Sequence, residues 1–255
     1  MQYREENGLK WLEFDLLADI KSLRHAIFLR HGGISQGPFA SLNVSTNCGD
    51  KQEHVQFNLN KICKHFQQQI HYPLKLHWAK QCHGKEISHV SSVSSQILTN
   101  CDALMTAVPG VALMINHADC QAAIFYDPLN QAIANVHAGW RGNVLNIYEE
   151  TIQAMRHTFG THPSNLLVCI SPSLGPAEAE FINYTQELPY HFWEFQITPT
   201  YFDFWAISEY QLQRAGILPH HIEIARISTY ADEKNYFSYR RDQLTGRHGT
   251  CVTLI

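Results

Sequence analysis

Three short segments carry side chains that commonly bind metal ions. They are residues 80–84 (KQCHG), 117–120 (HADC) and 135–142 (NVHAGWRG). Each lies where an apolar, strand-like run gives way to a loop, and strand ends are common positions for active sites. His83, Cys120 and His137 could together bind zinc, because three protein ligands leave the fourth tetrahedral position to water or substrate. Their wide spacing matches no H-E-x-x-H or paired C-x-x-C motif, so spacing alone leaves an ordinary structural role open.

Two further segments could bind an anion. Arg141 lies between two glycines at the start of a predicted helix, where free N–H groups and the guanidinium fork both favour phosphate or carboxylate. Arg30 and His31 precede two glycines at the end of a predicted strand, which suits close approach of the backbone to a ligand. The alternatives are a surface arginine packed on Trp140 and a plain turn.

Neighbouring residues could assist the chemistry. Asp119, beside Cys120, could carry a proton or support a metal ligand, and the competing interpretation is a strand-end aspartate that caps a turn. His117 lies close enough along the chain to reach the site. Residues 239–242 (YRRD) could form an anion-binding edge or a salt-bridged surface, and we favour the surface.

The composition is that of a folded chain rather than a disordered or coiled-coil one. The 255 residues are 45% hydrophobic and only 16% charged, with a formal net charge of −4. This charge gives no electrostatic reason to expect nucleic acid as a partner. No apolar run approaches the roughly 20 residues of a membrane span, and the N-terminus lacks an apolar signal core. We therefore expect no membrane partner, a cytoplasmic location and a monomer that buries its own core.

Sixteen histidines and seven cysteines are the unusual part of the composition. Imidazole and thiolate are the usual ligands of zinc and copper. The cysteine count is odd and no pair forms C-x-x-C, which favours reduced thiols over a disulfide framework. A single mononuclear site needs only a few of these side chains, so we expect the others to be background.

Short apolar runs and amphipathic stretches mix along the chain, which favours an α/β domain without repeats or linkers. The predicted strands are residues 25–30, 75–81, 103–106, 111–116, 122–126, 132–136, 166–170, 222–227 and 251–254. The predicted helices are residues 53–69, 143–157 and 202–215, and Gly160 is a stop signal after the second. We expect one domain over residues 1–255.

The motifs taken together resemble one family. RHGGISQGPFASLNV, KQCHG, CDALMT, AVPGVALMINHADC, ANVHAGWRG, SPSLGP and YFSYRRDQLTGR occur in this order between about residues 30 and 247. The chain resembles the laccase-domain, polyphenol-oxidase-like family, also called YfiH-like. The resemblance implies a single three-layer α/β/α domain with a mixed sheet. It also implies a metal site formed by His83, Cys120 and His137, the residues that ligand chemistry suggests.

The family's described activities set the functional expectations. Members are described as zinc-containing enzymes that phosphorolyse adenosine, inosine, guanosine and methylthioadenosine and deaminate adenosine. A copper-dependent polyphenol oxidase activity is also attributed to the family, and the correction of peptidoglycan precursors is attributed to some bacterial members. The chain departs from the family pattern by lacking two cysteines after SPSLGP, by having Gln121 and Ala122 after A-D-C, and by having Ser228 before Thr229. None of these departures touches the expected ligands.

Our leading hypothesis is a purine nucleoside phosphorylase with adenosine deaminase activity at a mononuclear His-Cys-His zinc site. Its partners would be purine nucleosides and phosphate. Asp119 and Arg141 are the candidate catalytic residues. Arg30, His31 and Arg141 are the candidates for binding the substrate or its anion.

Three alternatives stay open. Copper could replace zinc and support polyphenol oxidation, although a multicopper laccase is expected to need several H-x-H pairs and this sequence has none. A cysteine hydrolase or amidase acting on peptidoglycan precursors would use Cys120 as nucleophile and His137 or His83 as base. A zinc-stabilised binding module fits poorly, because three ligands with an open position make a poor structural site.

Overall fold

The central strands are apolar on both faces. The structure, a computed structural model, describes residues 1–68, 70–94 and 98–255, with the side chains of all of them except 98 and 99. The strands Gln121–Asp127, Ala132–Ala138 and His248–Leu254 are buried at every position. A strand without an exposed face must be covered on both sides. These sequences therefore require packing partners above and below each sheet.

The strands form two large mixed sheets. The first has the order β1-β2-β3-β16-β9-β4, with β1 at Gln2–Glu6, β2 at Leu9–Glu13, β3 at Leu23–Phe28, β16 at His248–Leu254, β9 at Val111–His117 and β4 at Lys75–His77. The second has the order β15-β12-β10-β11-β8-β6, with β15 at Ile222–Ile224, β12 at Leu167–Ile170, β10 at Gln121–Asp127, β11 at Ala132–Ala138, β8 at Ala103–Thr106 and β6 at Ile87–His89. Both sheets are antiparallel at the centre; the first is parallel at its β4 edge, and the second is parallel at both edges. Two short pairs join β5 (Ala79–Lys80) to β7 (Leu98–Thr99) and β13 (Gln196–Thr198) to β14 (Tyr201–Phe202).

The two longest helices cover the outer faces of the two sheets. The helices are α1 at Asp15–Ala18, α2 at Gln52–Gln67, α3 at Trp140–Val144, α4 at Ile147–Phe159, α5 at Tyr184–Glu187, α6 at Phe204–Arg214 and α7 at Tyr239–Asp242. Short 3-10 helices lie at Gly37–Phe39, Pro163–Asn165, Tyr190–Phe195 and Pro219–His221. The buried face of α2 packs on the first sheet through Leu59 and Ile62, and α4 packs on the second through Ile152 and Met155. No helix among the described residues is long and apolar enough to cross a membrane.

The two sheets share a core between them. Leu113 and Val252 of the first sheet meet Ile124 and Ile133 of the second in one buried cluster. Alternate residues of β9, such as Met114, point instead to the helix side. The layers are therefore helix, sheet, sheet and helix.

The predicted α/β class, with mixed strand directions and helices outside, is confirmed. The mixed β layer expected between the helices consists of two sheets. An apolar strand predicts cover on both faces but does not say whether a helix or a second sheet provides it.

The predicted elements are present with shifted ends. The run predicted at 75–81 divides into β4 and β5, and the helix predicted at 143–157 divides into α3 and α4. The second break occurs because Asn146 adopts a left-handed conformation and caps α4, its side chain accepting a hydrogen bond from the Glu149 amide. Gly160, at φ 74°, ends α4 as predicted. Residue 69, the predicted end of the first helix, lies outside the described residues.

The N-terminal hairpin of β1 and β2 was not predicted. The β1 sequence QYREE is mostly exposed, so it lacks the apolar run used to recognise strands. Asn7 and Gly8 both have positive φ and join the two strands. An Asn-Gly pair is a strong signal for a two-residue hairpin turn and could have revealed it.

Candidate metal centre

Three chain segments bring His83, Cys120 and His137 together. His83 follows β5, Cys120 lies in the turn between β9 and β10, and His137 is on β11. The β10–β11 pairing sets Ala122 opposite His137. The imidazole therefore lies near the start of β10, which directly follows Cys120. One ligand atom from each residue lies within 4.8 Å of the others, and Cys120 Sγ is 3.8 Å from His83 Nε2. The residues predicted as metal ligands therefore form one cluster.

A buried carboxylate, Asp102, supports this cluster. Its Oδ1 lies 2.8 Å from Nδ1 of His137, and the two side chains are 0% and 3% exposed. Since Nδ1 bonds to the carboxylate, Nε2 is the ring nitrogen left for a metal. A carboxylate in this position fixes the tautomer and orientation of a ligating histidine. Asp102 was not predicted as a site residue.

Asp102 also holds the loop that carries His83. Its carboxylate accepts hydrogen bonds from the backbone amides of Cys82, His83 and Gly84, at 3.2, 2.9 and 2.8 Å. His83 has a φ of 59°, a left-handed conformation that costs energy in a residue other than glycine. The three amide hydrogen bonds stabilise that conformation. One carboxylate thus positions two of the three candidate ligands.

Gly139 makes room for the cluster. A Cβ at this position would lie 2.9 Å from Cys120 Sγ and 2.9 Å from His83 Cδ2. Real Cβ atoms do not approach so closely, so any larger residue would force Cys120 and His83 to move. The glycine after the histidine of HAGWRG therefore has a steric role at the site.

The cluster favours a thiolate. Burial would raise the pKa of the Cys120 thiol, but the charges and hydrogen bonds of His137 and His83 outweigh it and lower this pKa to about 6. Burial would lower the pKa of His137, but Cys120 and Asp102 raise it to about 9. Because thiolate is the form of cysteine that binds metals, the site is prepared for a cation.

Asp119 does not point its carboxylate at a ligand. Its Oδ1 accepts from Thr229 Oγ1 at 2.7 Å and its Oδ2 accepts from the Arg240 amide at 2.6 Å. Asp119 has a φ of 79°, so the turn before Cys120 is tight. The carboxylate therefore joins the Cys120 turn to the start of α7.

One of two cavities beside the cluster is aromatic. This aromatic cavity has a volume of about 310 Å³. The residues that give it its character are Trp140, Leu174, Phe181, Phe204, Tyr239 and Arg240. The Phe181 ring lies 5.9 Å from that of Trp140 and 5.1 Å from that of Phe204. Flat apolar groups can stack in such a space.

The other cavity is polar. This polar cavity has a volume of about 430 Å³, and its lining includes Ser45, Asn47, Gln81, Asn116, His117 and Arg247. His83, Ala118, Cys120 and Tyr239 line both cavities and so form a shared wall. A ligand in either cavity would therefore contact the same cluster.

The other predicted site residues lie elsewhere. Arg30 donates to the backbone oxygens of Ala40 and Glu233 at 2.9 and 2.8 Å, and His31 Nε2 lies 3.0 Å from Asn235 Oδ1. Arg141 is exposed, with its guanidinium 5.0 Å from the centre of the Trp140 ring. None of the three predicted residues lines either cavity.

Residues 239–242 were expected to form either an anion-binding edge or a salt-bridged surface, and their side chains do not all have the same surroundings. Arg241 and Asp242 form an ion pair at 2.8 Å, as a salt-bridged surface would. Tyr239 and Arg240 line the aromatic cavity instead. His117 lines the polar cavity, and its Nε2 lies 2.8 Å from Thr250 Oγ1.

Comparison with known proteins places this chain in a family. The model of the family described as multi-copper polyphenol oxidoreductase laccase matches residues 24–255. The chain belongs to this family. It is 30% identical over 246 residues to a protein of Bacteroides thetaiotaomicron named purine nucleoside phosphorylase, covering 91% of each chain. It is 29% identical over 234 residues to the Escherichia coli protein named purine nucleoside phosphorylase YfiH, covering 89% of this chain and 91% of the relative.

Solved structures of family members share the fold. YlmD from Geobacillus stearothermophilus superposes with a TM-score of 0.87 at 26% identity, over 99% of this chain and 98% of that one. A Bacillus licheniformis protein titled hypothetical protein YfiH superposes with a TM-score of 0.88 at 24% identity, over 99% of both chains. The resemblance expected from the motifs is therefore confirmed.

The donor set fits one metal ion. Two imidazole nitrogens and one thiolate suit zinc, and the same donors also suit copper. Gly139 and Asp102 are arranged around this donor set, so the site is built for it. Among the described residues, His83, Cys120 and His137 are the one group with the ligand types and spacing for a metal. The family's description names several copper ions, but the described residues contain no second group of this kind.

Proposed function

We propose that the protein is a purine nucleoside phosphorylase that acts at the His83–Cys120–His137 site. The observation that best supports this proposal is that the one cluster borders both the aromatic cavity and the polar cavity. The relatives named purine nucleoside phosphorylase cover most of the chain and support this proposal. The substrates would be a purine nucleoside and inorganic phosphate.

The reaction joins two substrates at one carbon. An oxygen of phosphate forms a bond to C1′ of the ribose while the bond from C1′ to the purine nitrogen breaks. The purine leaves with that electron pair and takes up a proton, and ribose 1-phosphate is the second product. The enzyme must hold both substrates against each other and keep water from C1′. Two cavities with a shared wall suit this requirement.

We propose His83, Cys120 and His137 as the ligands of a zinc ion, with copper as the alternative. A bound metal would act as a Lewis acid beside the substrate. Asp102 fixes the ring of His137 and the backbone of the His83 loop, so the donor atoms stay in place without substrate. Gly139 keeps the space next to Cys120 and His83 free.

We further propose that the same site deaminates adenosine. In that reaction, water oxygen replaces the amino group at C6 and ammonia leaves, so protons must be carried to the departing group. Asp119, near the cluster and partly accessible, is our candidate for carrying them. The roles of Arg141 in catalysis and of Arg30 and His31 in substrate binding stay predictions, because none of them lines the aromatic or the polar cavity.

We base the proposed cellular location and type of partner on the sequence. The net charge of −4 and seven free thiols support a protein of the cytoplasm that works on small molecules rather than nucleic acid. We propose that it acts as a monomer and as one domain over residues 1–255.

The test is direct. Pure, metal-replete protein is incubated with inosine and phosphate, and hypoxanthine and ribose 1-phosphate are measured. We expect both products in equal amounts, and none from Cys120→Ala. Cys63→Ala is the matched control, since Cys63 is a free cysteine on α2 that lines neither cavity. No product from the wild-type protein would overturn the proposal.

A cysteine hydrolase is the second candidate. It is favoured by the lowered pKa of Cys120 and the raised pKa of His137, which together describe a thiolate beside an imidazolium oriented by Asp102. This is the arrangement of an activated cysteine nucleophile. An amidase assay on peptidoglycan precursors with and without a chelator distinguishes the two, because a cysteine nucleophile needs no metal.

A further inference from the structure

The polar cavity contains an arginine with unused hydrogen-bonding capacity. Nη1 of Arg247 donates to the backbone oxygens of Thr245 and Gly246 at 2.9 and 3.0 Å. Nη2 and Nε have no hydrogen-bond partner in the described part of the chain, and no carboxylate there pairs with this guanidinium. The side chain is half-buried, and its guanidinium lies 5.6 Å from the centre of the Tyr239 ring. The two nitrogens without partners are free to bind an oxyanion.

The same cavity has further polar atoms without partners. Asn116 and His117 line it, and Asn116 Oδ1 and His117 Nδ1 are buried without a hydrogen bond to any described residue. His117 is 2% exposed. Buried polar atoms are normally paired, so atoms of this kind beside a cavity indicate a polar ligand. A ribose hydroxyl could donate to Asn116 Oδ1, and a phosphate oxygen could accept from His117 Nδ1 when that nitrogen carries the proton.

The aromatic cavity has the opposite character. Trp140, Phe181 and Phe204 form much of its wall. Its arginine, Arg240, donates to the backbone oxygen of Glu180 from both terminal nitrogens, at 3.3 and 3.4 Å. A purine ring can stack on such walls, whereas an inorganic anion would lose hydration without gaining equal bonds.

We propose that the two substrates bind in different cavities, with phosphate on Arg247 in the polar cavity and the purine in the aromatic cavity. This inference rests on the proposed function. The shared wall, which includes His83 and Cys120, would be where phosphate and C1′ meet. Arg247 is thus the residue proposed to bind phosphate, whereas Arg30 and Arg141 line neither of these cavities.

The test measures phosphate binding separately from catalysis. Inorganic phosphate is titrated calorimetrically into the protein as purified, with and without the free base hypoxanthine, which allows no turnover, for the wild type and for Arg247→Gln. Arg156→Gln is the matched control, since Arg156 is exposed on α4 and lines neither cavity. Loss of a charged hydrogen-bonding partner should weaken phosphate binding about tenfold to a hundredfold in Arg247→Gln. The control should bind as the wild type does.

Two further variants test the division between cavities. Trp140→Leu should raise the KM for inosine and leave that for phosphate unchanged, while Arg247→Gln should do the reverse. Arg240→Gln should leave phosphate binding intact. Phosphate binding that Arg247→Gln retains within twofold, that Arg240→Gln loses instead, or that the wild type lacks under both conditions would overturn the proposal. Because binding is measured without turnover, a protein that binds phosphate through Arg247 but makes no ribose 1-phosphate would refute the proposed function alone.

Discussion

The carboxylate of Asp102 lies 2.8 Å from Nδ1 of His137, inside the second sheet and out of contact with solvent. The backbone amide of His137 also donates to the carbonyl oxygen of Asp102 at 2.7 Å. The two residues are therefore joined twice, once through their backbones and once through their side chains. This double connection fixes the imidazole before any metal arrives.

Replacing Asp102 by Asn should weaken metal binding by about tenfold to a hundredfold, the usual effect of losing a carboxylate that supports a ligating histidine. Metal content after competition with a graded chelator measures the change. Asp127→Asn is the control, because Asp127 is also fully buried and also accepts hydrogen bonds from loop amides, at Leu129 and Asn130. It should lower stability without changing metal affinity. Equal metal affinity in wild type and Asp102→Asn would contradict the role given to Asp102.

Gly139→Ala should disrupt the site without changing the fold. The new Cβ would meet Cys120 Sγ and His83 Cδ2 at 2.9 Å, so both ligands must move. A displacement of this order can lower kcat on the order of a hundredfold. Gly142→Ala makes a close control, since its Cβ would meet its nearest neighbour at an ordinary 3.5 Å. Activity, metal content and circular dichroism are compared, and normal metal content in Gly139→Ala would show that the steric argument is wrong.

The Cys120 thiol of the metal-free protein should react with iodoacetamide at unusually low pH. Its pKa is lowered to about 6, so the reactive thiolate forms as the pH rises through 6 rather than through 9. Cys63 provides the comparison inside the same protein, because burial raises the pKa of its thiol. The rate of each modification is followed by peptide mass spectrometry between pH 5 and 9. A Cys120 rate that becomes half-maximal only near pH 9 would disagree with the lowered pKa. Zinc added beforehand should protect Cys120.

Asp119→Asn separates the two roles considered for this residue. If Asp119 carries a proton, kcat should fall by about a hundredfold or more while metal content stays normal. If it only secures the turn, Thr229→Val should have the same effect, because that variant removes the hydrogen bond to Oδ1 and keeps the carboxylate. We expect kcat to fall further in Asp119→Asn than in Thr229→Val. Similar losses in both variants would assign Asp119 to positioning.

The residues of the site differ in how far the sequence could predict them. His83, Cys120 and His137 have ligand-type side chains at strand ends, and short motifs identify them. Asp102 is 19 residues from His83 and 35 from His137 in sequence, so only the pairing of β8 with β11 reveals its role.

The cavities were beyond sequence reasoning for a related reason. Phe181 and Phe204 come from distant parts of the chain and meet only through tertiary packing. Arg30, Arg141 and Arg247 each lie near two glycines, and the local pattern does not indicate which of the three lines the polar cavity. The sequence also did not show that the β layer consists of two sheets. An apolar residue of β9 can be buried against a second sheet, as Leu113 is, or against a helix, as Met114 is.

The turn that contains Cys120 is where the chain passes from the first sheet to the second, since β9 belongs to one and β10 to the other. His137 belongs to the second sheet, and Gln81, next to the His83 loop, bonds to the backbone of Asn116 in the first. A metal ion on these ligands would therefore couple its own binding to the association of both sheets. By thermodynamic linkage, free metal at a hundred times its dissociation constant would raise the free energy of unfolding by about 2.7 kcal/mol. Metal supply would then govern how much folded protein a cell holds as well as how much of it is active.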